Sequence, residues 1–323
     1  MKRRAFIAAL GGAAAWPVVA RGQQTQVVGF LSAGKLEAYT ELMTSLRRGL
    51  QAVGFVEGRN VAIETRFADG DFSLIPKLAA DLTLRGAKVI VTTGTSSALG
   101  AKAEAATVPL VFLTQVDPVN AGLVASLPRP DGNATGIYLV TADLLAKRLD
   151  LARQVAPDRF PIVLIVNPKG AETESQLHEA EKVASDSRLK IQIRNASTPH
   201  EIDIAFAALA RPKAGAIVVG SDPLFFSQRD QIVALARREA IPAIYDRREY
   251  VTAGGLMSYG PNLADAFERL GLYAGKILKG ARPAELPVEQ AARFEFMLNL
   301  KTAKTLGLSL QPTLIALADE VIE

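Results

Sequence analysis

The sequence predicts an α/β architecture of two lobes, each a doubly wound parallel sheet with helices on both faces. Three observations carry this. From residue 26 onward, short β-branched runs alternate with segments whose apolar residues recur at helical spacing, the signature of βαβ units. Near residue 140 the alternation breaks and then restarts, so the 323 residues read as two lobes of ordinary domain size. Several runs also end on small polar residues, and in open parallel sheets the crevice beyond the strand C-termini is where ligands bind.

The first lobe opens with a strand over 26–31 that ends on Ser32-Ala33-Gly34-Lys35. Gly29-x-x-x-x-Gly34-Lys35-Leu36 resembles a P-loop, but Leu36 replaces the hydroxyl that holds magnesium and Gly29 falls inside the strand, so the match reads as chance. Leu42, Leu46, Leu50 and Val53 share one face of a helix over 37–53, with Gly54 as its stop. A strand over 60–66 follows. Asp71 or Ser73 then caps a helix with the face Ile75, Leu78, Ala79 and Leu82. The run 89–93 ends on Gly94-Thr95-Ser96-Ser97 and passes directly into an alanine-rich helix, whose start offers unpaired backbone N–H groups to an anion. After Pro109 the run 110–113 ends on Thr114-Gln115-Val116-Asp117-Pro118.

Residues 135–140 read as a crossover into the second lobe. There, helices over 142–155, 172–185, 199–210 and 227–239 alternate with strands over 162–166, 190–194, 216–220 and 242–245. Three of those strands end on Asn167-Pro168, Ser221-Asp222-Pro223 and Tyr245-Asp246. Residues 256–259 read as a second crossover and 263–278 as a helix. Leu306, Leu308, Leu310 and Leu314 read as a structural cap.

The Gly94-Thr95 turn, Asp117-Pro118 with Gly122-Leu123-Val124, and Pro130-Asp131-Gly132-Asn133-Ala134-Thr135-Gly136 together resemble the periplasmic substrate-binding proteins of ABC transporters, in the family that includes tryptophan-binding members. The resemblance continues in Ser258-Tyr259-Gly260-Pro261-Asn262, Ile277-Leu278-Lys279-Gly280, Leu286-Pro287-Val288-Glu289 and Leu298-Asn299-Leu300, and so covers nearly the whole chain. It implies the type I periplasmic-binding fold: two lobes joined by a three-segment hinge around a cleft. The lobes implied are 23–138 with 260–285, and 139–259 with 286–323. It also implies a small-molecule ligand, an ABC-transporter permease as partner, and no enzymatic activity.

The N-terminus supports export. Lys2-Arg3-Arg4 precedes an uncharged Ala/Gly-rich run, and Ala20-Arg21-Gly22 is a small-residue cleavage site, which predicts removal of 1–22, a mature chain from Gln23 and a periplasmic location. Arg3-Arg4-Ala5-Phe6-Ile7 resembles a twin-arginine signal, although paired arginines also occur in general secretory leaders. Gly11-Gly12 and Pro17 break the run short of the roughly 20 residues of a membrane span, and no cysteine follows to carry a lipid, so no permanent membrane anchor is expected. Four of the 37 basic residues leave with the leader, so the remaining 33 balance the 33 acidic residues. With that balance and no basic stripe, nucleic acid is not an expected partner.

Catalysis finds little support. His178 and His200 are the two histidines, each at or inside a predicted helix among polar residues. Gly94-Thr95-Ser96-Ser97-Ala98 lacks the closing glycine of a nucleophile elbow. No spacing indicates a zinc, calcium or dinucleotide site, so no cofactor is expected. Binding fits better. Ser32 and Ala33 form one wall of a cleft, and Gly94, Thr95 and Ser96 receive a ligand carboxylate or simply cap their helix. One of Asp117 and Asp222 receives a ligand ammonium, and each otherwise forms the turn that Asp-Pro favours. Asn167 hydrogen-bonds a ligand from the second lobe or closes a turn before Pro168, Ser221 lines the cleft, and Tyr138, Tyr245 and Tyr259 cover a ligand or pack in the core or hinge. The expected function is capture of an amino acid or a related carboxylate or amide for delivery to a permease. A ligand sensor of the same fold is the alternative, and a hydrolase is disfavoured by the two histidines.

Overall fold

Thirteen strands order the described residues of this computed structural model, which are 25–139, 142–155, 161–209, 214–291 and 293–323. The leader and the cleavage point before Gln23 lie outside them. In chain order the strands are β1 (Gln26–Ser32), β2 (Val61–Phe67), β3 (Ala87–Thr93), β4 (Leu110–Thr114), β5 (Ala134–Leu139), β6 (Ile162–Val166) and β7 (Ile191–Asn195). They continue with β8 (Ala216–Val219), β9 (Ala243–Tyr245), β10 (Met257–Pro261), β11 (Glu289–Ala291), β12 (Phe294–Asn299) and β13 (Glu320–Ile322).

Two sheets result. The first has the order β11-β5-β4-β3-β1-β2 with every pairing parallel. The second has the order β13-β12-β10-β9-β8-β6-β7 and is parallel except where β12 meets β10. That exception follows from chain path. β10 runs out toward the first lobe and ends at Pro261, opposite Phe294, so β12 enters the second sheet where β10 leaves it and must run back. The runs Val89–Val91, Val111–Leu113, Val163–Ile165 and Ile217–Val219 contribute buried side chains throughout, as expected for strands covered on both faces.

The crossovers fall later than the sequence reading put them. Residues 134–139 are a full strand of the first sheet, and 257–261 a full strand of the second, because their β-branched and aromatic side chains find partners on Leu110–Thr114 and Phe294–Leu298. Residues 286–291, read as second lobe, remain with the first: β11 pairs with β5, and Thr135 Oγ1 donates to Leu286 O at 2.6 Å. The expected helix over 227–239 is Arg229–Arg238, and a further short helix, Pro223–Ser227, precedes it, since Asp222 caps a turn that begins directly at Pro223. The leucine-rich tail buries Leu314 and also supplies the edge strand β13.

The helices Leu36–Ala52 and Leu263–Leu278 pack in the first lobe at two glycines. A Cβ on Gly49 would stand 1.9 Å from Glu268 O, and one on Gly271 2.1 Å from Leu46 O. Backbone meets backbone here, and only glycine permits it. One hydrophobic cluster continues through both lobes, joining Phe30 and Tyr39 of the first to Phe225 and Phe226 of the second. Among the described residues no helix is long and apolar enough to cross a membrane.

Candidate functional site

Strand order reverses between β1 and β3 in the first sheet and between β6 and β8 in the second. At such a reversal the flanking connections leave on opposite faces and open a crevice at the strand C-termini. In the first lobe Ala33 N donates to Ser97 Oγ at 3.1 Å, bridging the loop after β1 to the helix Thr95–Glu104 after β3. Ser32 Oγ accepts from Gly34 N at 3.1 Å. Gly94 holds φ at +88°, a left-handed turn that lets strand pass to helix without a linker. Thr114 Oγ1 donates to Val116 O at 2.9 Å, which makes Thr95 Oγ1 the donor of the 2.7 Å bond between the two threonines.

The second crevice is bridged by charge. Asn167 Nδ2 donates to Asp222 Oδ1 at 3.1 Å, and the same oxygen caps Leu224 N at 2.8 Å. Asp222 Oδ2 is buried with no partner. Burial pushes the Asp222 carboxyl up to about 7; the Asn167 hydrogen bond opposes this and the neighbouring Glu172 charge adds to it. Gln176 clasps the backbone of Ser221, accepting from its N at 2.8 Å and donating to its O at 3.2 Å. Arg148, only 1% exposed, donates to Ser221 Oγ at 3.2 Å and to Leu144 O at 3.2 Å. Burial works against its charge, and Asp246 nearby supports it. Asp246 itself pairs with Arg247 at 2.9 Å, both buried.

Across the cleft the two rims touch. Lys35 N donates to Ser227 Oγ at 2.9 Å, and Thr95 N donates to Glu172 Oε1 at 3.3 Å. A Cβ on Gly94 would stand 3.2 Å from Pro223 Cγ. Tyr39 meets Phe226 edge-on with centroids 5.4 Å apart, and the Arg247 guanidinium lies 4.6 Å from the centroid of the same Phe226 ring. The lobes are therefore shut. A pocket of about 10 Å³ between Gln115, Arg148, Glu172 and Ser221 leaves room for roughly a water molecule.

The model of the ABC transporter substrate binding protein family matches residues 27–322. The chain belongs to this family. Among curated proteins it is similar to the tyrosine-binding protein of Clostridioides difficile strain R20291, with 27% identity over 267 residues, 81% of this chain and 75% of the relative. Two solved structures share the fold. A conserved domain protein from Vibrio cholerae O1 biovar El Tor superposes with a TM-score of 0.84 at 24% identity, covering 92% of this chain and all of the other. An ABC domain from Streptococcus pneumoniae in complex with L-Trp gives 0.82 at 23% identity, covering 93% of this chain and 100% of the other.

In this substrate-binding protein the two crevices gather Ser32, Ala33, Gly94 and Thr95 on one side and Asn167, Ser221 and Asp222 on the other. The remaining sequence candidates are placed differently. Ser96 lies half-buried, and its neighbour Ser97 makes the structural bond. Asp117 Oδ1 accepts from Val119 N at 2.8 Å and Asn120 N at 3.2 Å, so that oxygen closes its own turn. Tyr245 is stacked on Tyr250 with centroids 4.6 Å apart and is 1% exposed, a core residue of the second lobe and not a lid. Tyr259 packs on the second-lobe core, and Tyr138 on the first-lobe core beside β4.

Sequence reasoning missed Glu172, Arg148, Phe226 and Ser227. Arg148 left a signal. It sits on the same face as Leu144, Leu145 and Ala152, all buried, so a cation stood where the helical period demanded an apolar residue. Glu172 left none, because an acid at the start of a helix is ordinary.

Proposed function

We propose that the protein is an exported receptor that takes a small, amine-bearing organic solute into the interlobe cleft and hands it to an ABC-transporter permease. An amino acid or a related carboxylate or amide is the broad ligand class. One observation carries the reading: at the reversal point of the second sheet, beside Glu172, which meets the first lobe, Asp222 keeps a buried carboxylate oxygen without a partner. A buried polar atom left unsatisfied costs roughly 1–3 kcal/mol, and an ammonium group would recover it. The relatives with tyrosine or tryptophan in their names support an amino-acid-sized occupant, and the leader supports export.

The test is a thermal-shift screen of the chain from Gln23 against amino acids, aromatic acids, amines and small amides, followed by calorimetry on every hit. A ligand that raises the melting temperature of the wild type, and loses roughly ten- to a hundredfold in affinity in Asp222→Asn, supports the reading. Binding that is indifferent to Asp222→Asn sinks the assignment of this cleft. In the producing cell, mass spectrometry of the exported form should find a terminus near Gln23.

A further inference from the structure

The start of the helix Thr95–Glu104 is where a ligand carboxylate is expected, but the chain fills that place itself. Glu172 reaches from the other lobe, is 5% exposed, and accepts the Thr95 N–H at 3.3 Å. Glu172 stands just before its own helix, Thr173–Ser187, yet its side chain does not cap it. The carboxylate thus serves the first lobe and leaves Thr95 N without a free hydrogen for a ligand. Beside it lies Asp222, 4% exposed, with Oδ2 unpartnered; that oxygen is within 2.5 Å of where a Cβ on Gly170 would be, two residues before Glu172.

These positions decide what charge the cleft accepts. An incoming carboxylate would have to evict Glu172 and would then lie beside carboxyl groups, and like charges placed together at a desolvated interface repel. Arg148 lines the same small pocket as Glu172; two of its five N–H groups are held by Leu144 O and Ser221 Oγ, and Asp246 supports its charge from within the second lobe. A cation meets the opposite situation, with Asp222 Oδ2 open and Glu172 adjacent.

We infer that Glu172 stands in for a ligand carboxylate, so that the receptor selects organic amines lacking an α-carboxylate over the amino acids of the same side chain. This inference rests on the solute-receptor reading above and moves its ligand class from amino acids to the corresponding amines.

Matched pairs test it by calorimetry: tyramine against tyrosine, tryptamine against tryptophan, agmatine against arginine, and cadaverine against lysine. The proteins are wild type, Glu172→Ala and Glu172→Gln, with circular dichroism confirming the fold of each. For at least one pair the amine should bind the wild type roughly tenfold or more tightly than its amino acid. Glu172→Ala, which frees the Thr95 N–H, should shift that ratio by roughly tenfold or more toward the amino acid. Glu172→Gln keeps an acceptor for Thr95 N and removes the charge, so the amine should weaken while the melting temperature holds. An amino acid that binds the wild type as tightly as its amine overturns the inference alone, as does a ratio unmoved by Glu172→Ala. If neither series binds, the inference and the amine-receptor reading fall together.

Discussion

The two crevices that face each other are built alike and charged differently. In the first lobe the bridge is a backbone N–H to a serine hydroxyl, and the threonines at 95 and 114 satisfy one another. In the second lobe the bridge is an amide to a carboxylate, with Arg148, Glu172, Asp246 and Arg247 all buried around it. A neutral rim with paired hydroxyls holds shape. A rim of buried charge stores interaction energy that a ligand of opposite sign releases. Under the proposed function the first lobe is a template and selection resides in the second.

That division breaks first at the template. Gly49→Ala in an open helix would stabilise by roughly 0.5–1 kcal/mol, but here the added carbon collides with Glu268 O. Urea unfolding should show a loss of about 3 kcal/mol, the largest single effect expected. Next is the pH dependence of the second lobe. Asp222 holds its proton up to about 7 in the folded chain against an ordinary value of 3.8, so the folded state binds more protons than the unfolded between those limits. Apo stability should therefore fall as pH rises from about 4 to about 7 and level off above. Asp222→Asn should flatten that slope in unfolding curves taken across the range.

Smaller effects sharpen the comparison. Ser227→Ala removes the acceptor for Lys35 N and should cost the closed form about 1 kcal/mol, read as an increase in the apo radius of gyration by small-angle scattering. Asp117→Ala should cost about 1 kcal/mol of apo stability through its turn and leave affinity for any ligand unchanged. A ligand effect at Asp117 would move part of the selection into the first lobe.

Much of this was legible in the sequence because parallel sheets write themselves in short, continuous apolar runs. The helices over 142–155 and 263–278 and the strand over 162–166 fall where periodicity puts them. The seven candidates that gather at the crevices share one trait, a position within three residues of a strand end next to an order reversal. Tyr138, Tyr245 and Tyr259 were chosen for ring chemistry alone, and aromatic rings satisfy a core as readily as a cleft. Glu172 was invisible because its partner is 77 residues away in the chain, and side-chain direction across a cleft is set by lobe closure. The crossovers were read early because a strand at the hinge and a linker at the hinge have the same composition until their partners are known.

The glycine crossing of Leu36–Ala52 with Leu263–Leu278 also bears on how the protein comes to exist. The first lobe's opening helix waits for a partner more than two hundred residues downstream, and the edge strand β11 arrives later still. A ribosome that has released the chain through β10 has not yet supplied the helix and edge strand that close the first lobe, nor β12 and β13 of the second. During synthesis the N-terminal half therefore presents an uncovered helix face and an unpaired sheet edge, the surfaces that chaperones hold and that make truncated chains aggregate. A premature stop before residue 263 should yield a first lobe that cannot close and a second sheet whose β10 edge lacks β12, and such fragments should be found with the degradation machinery.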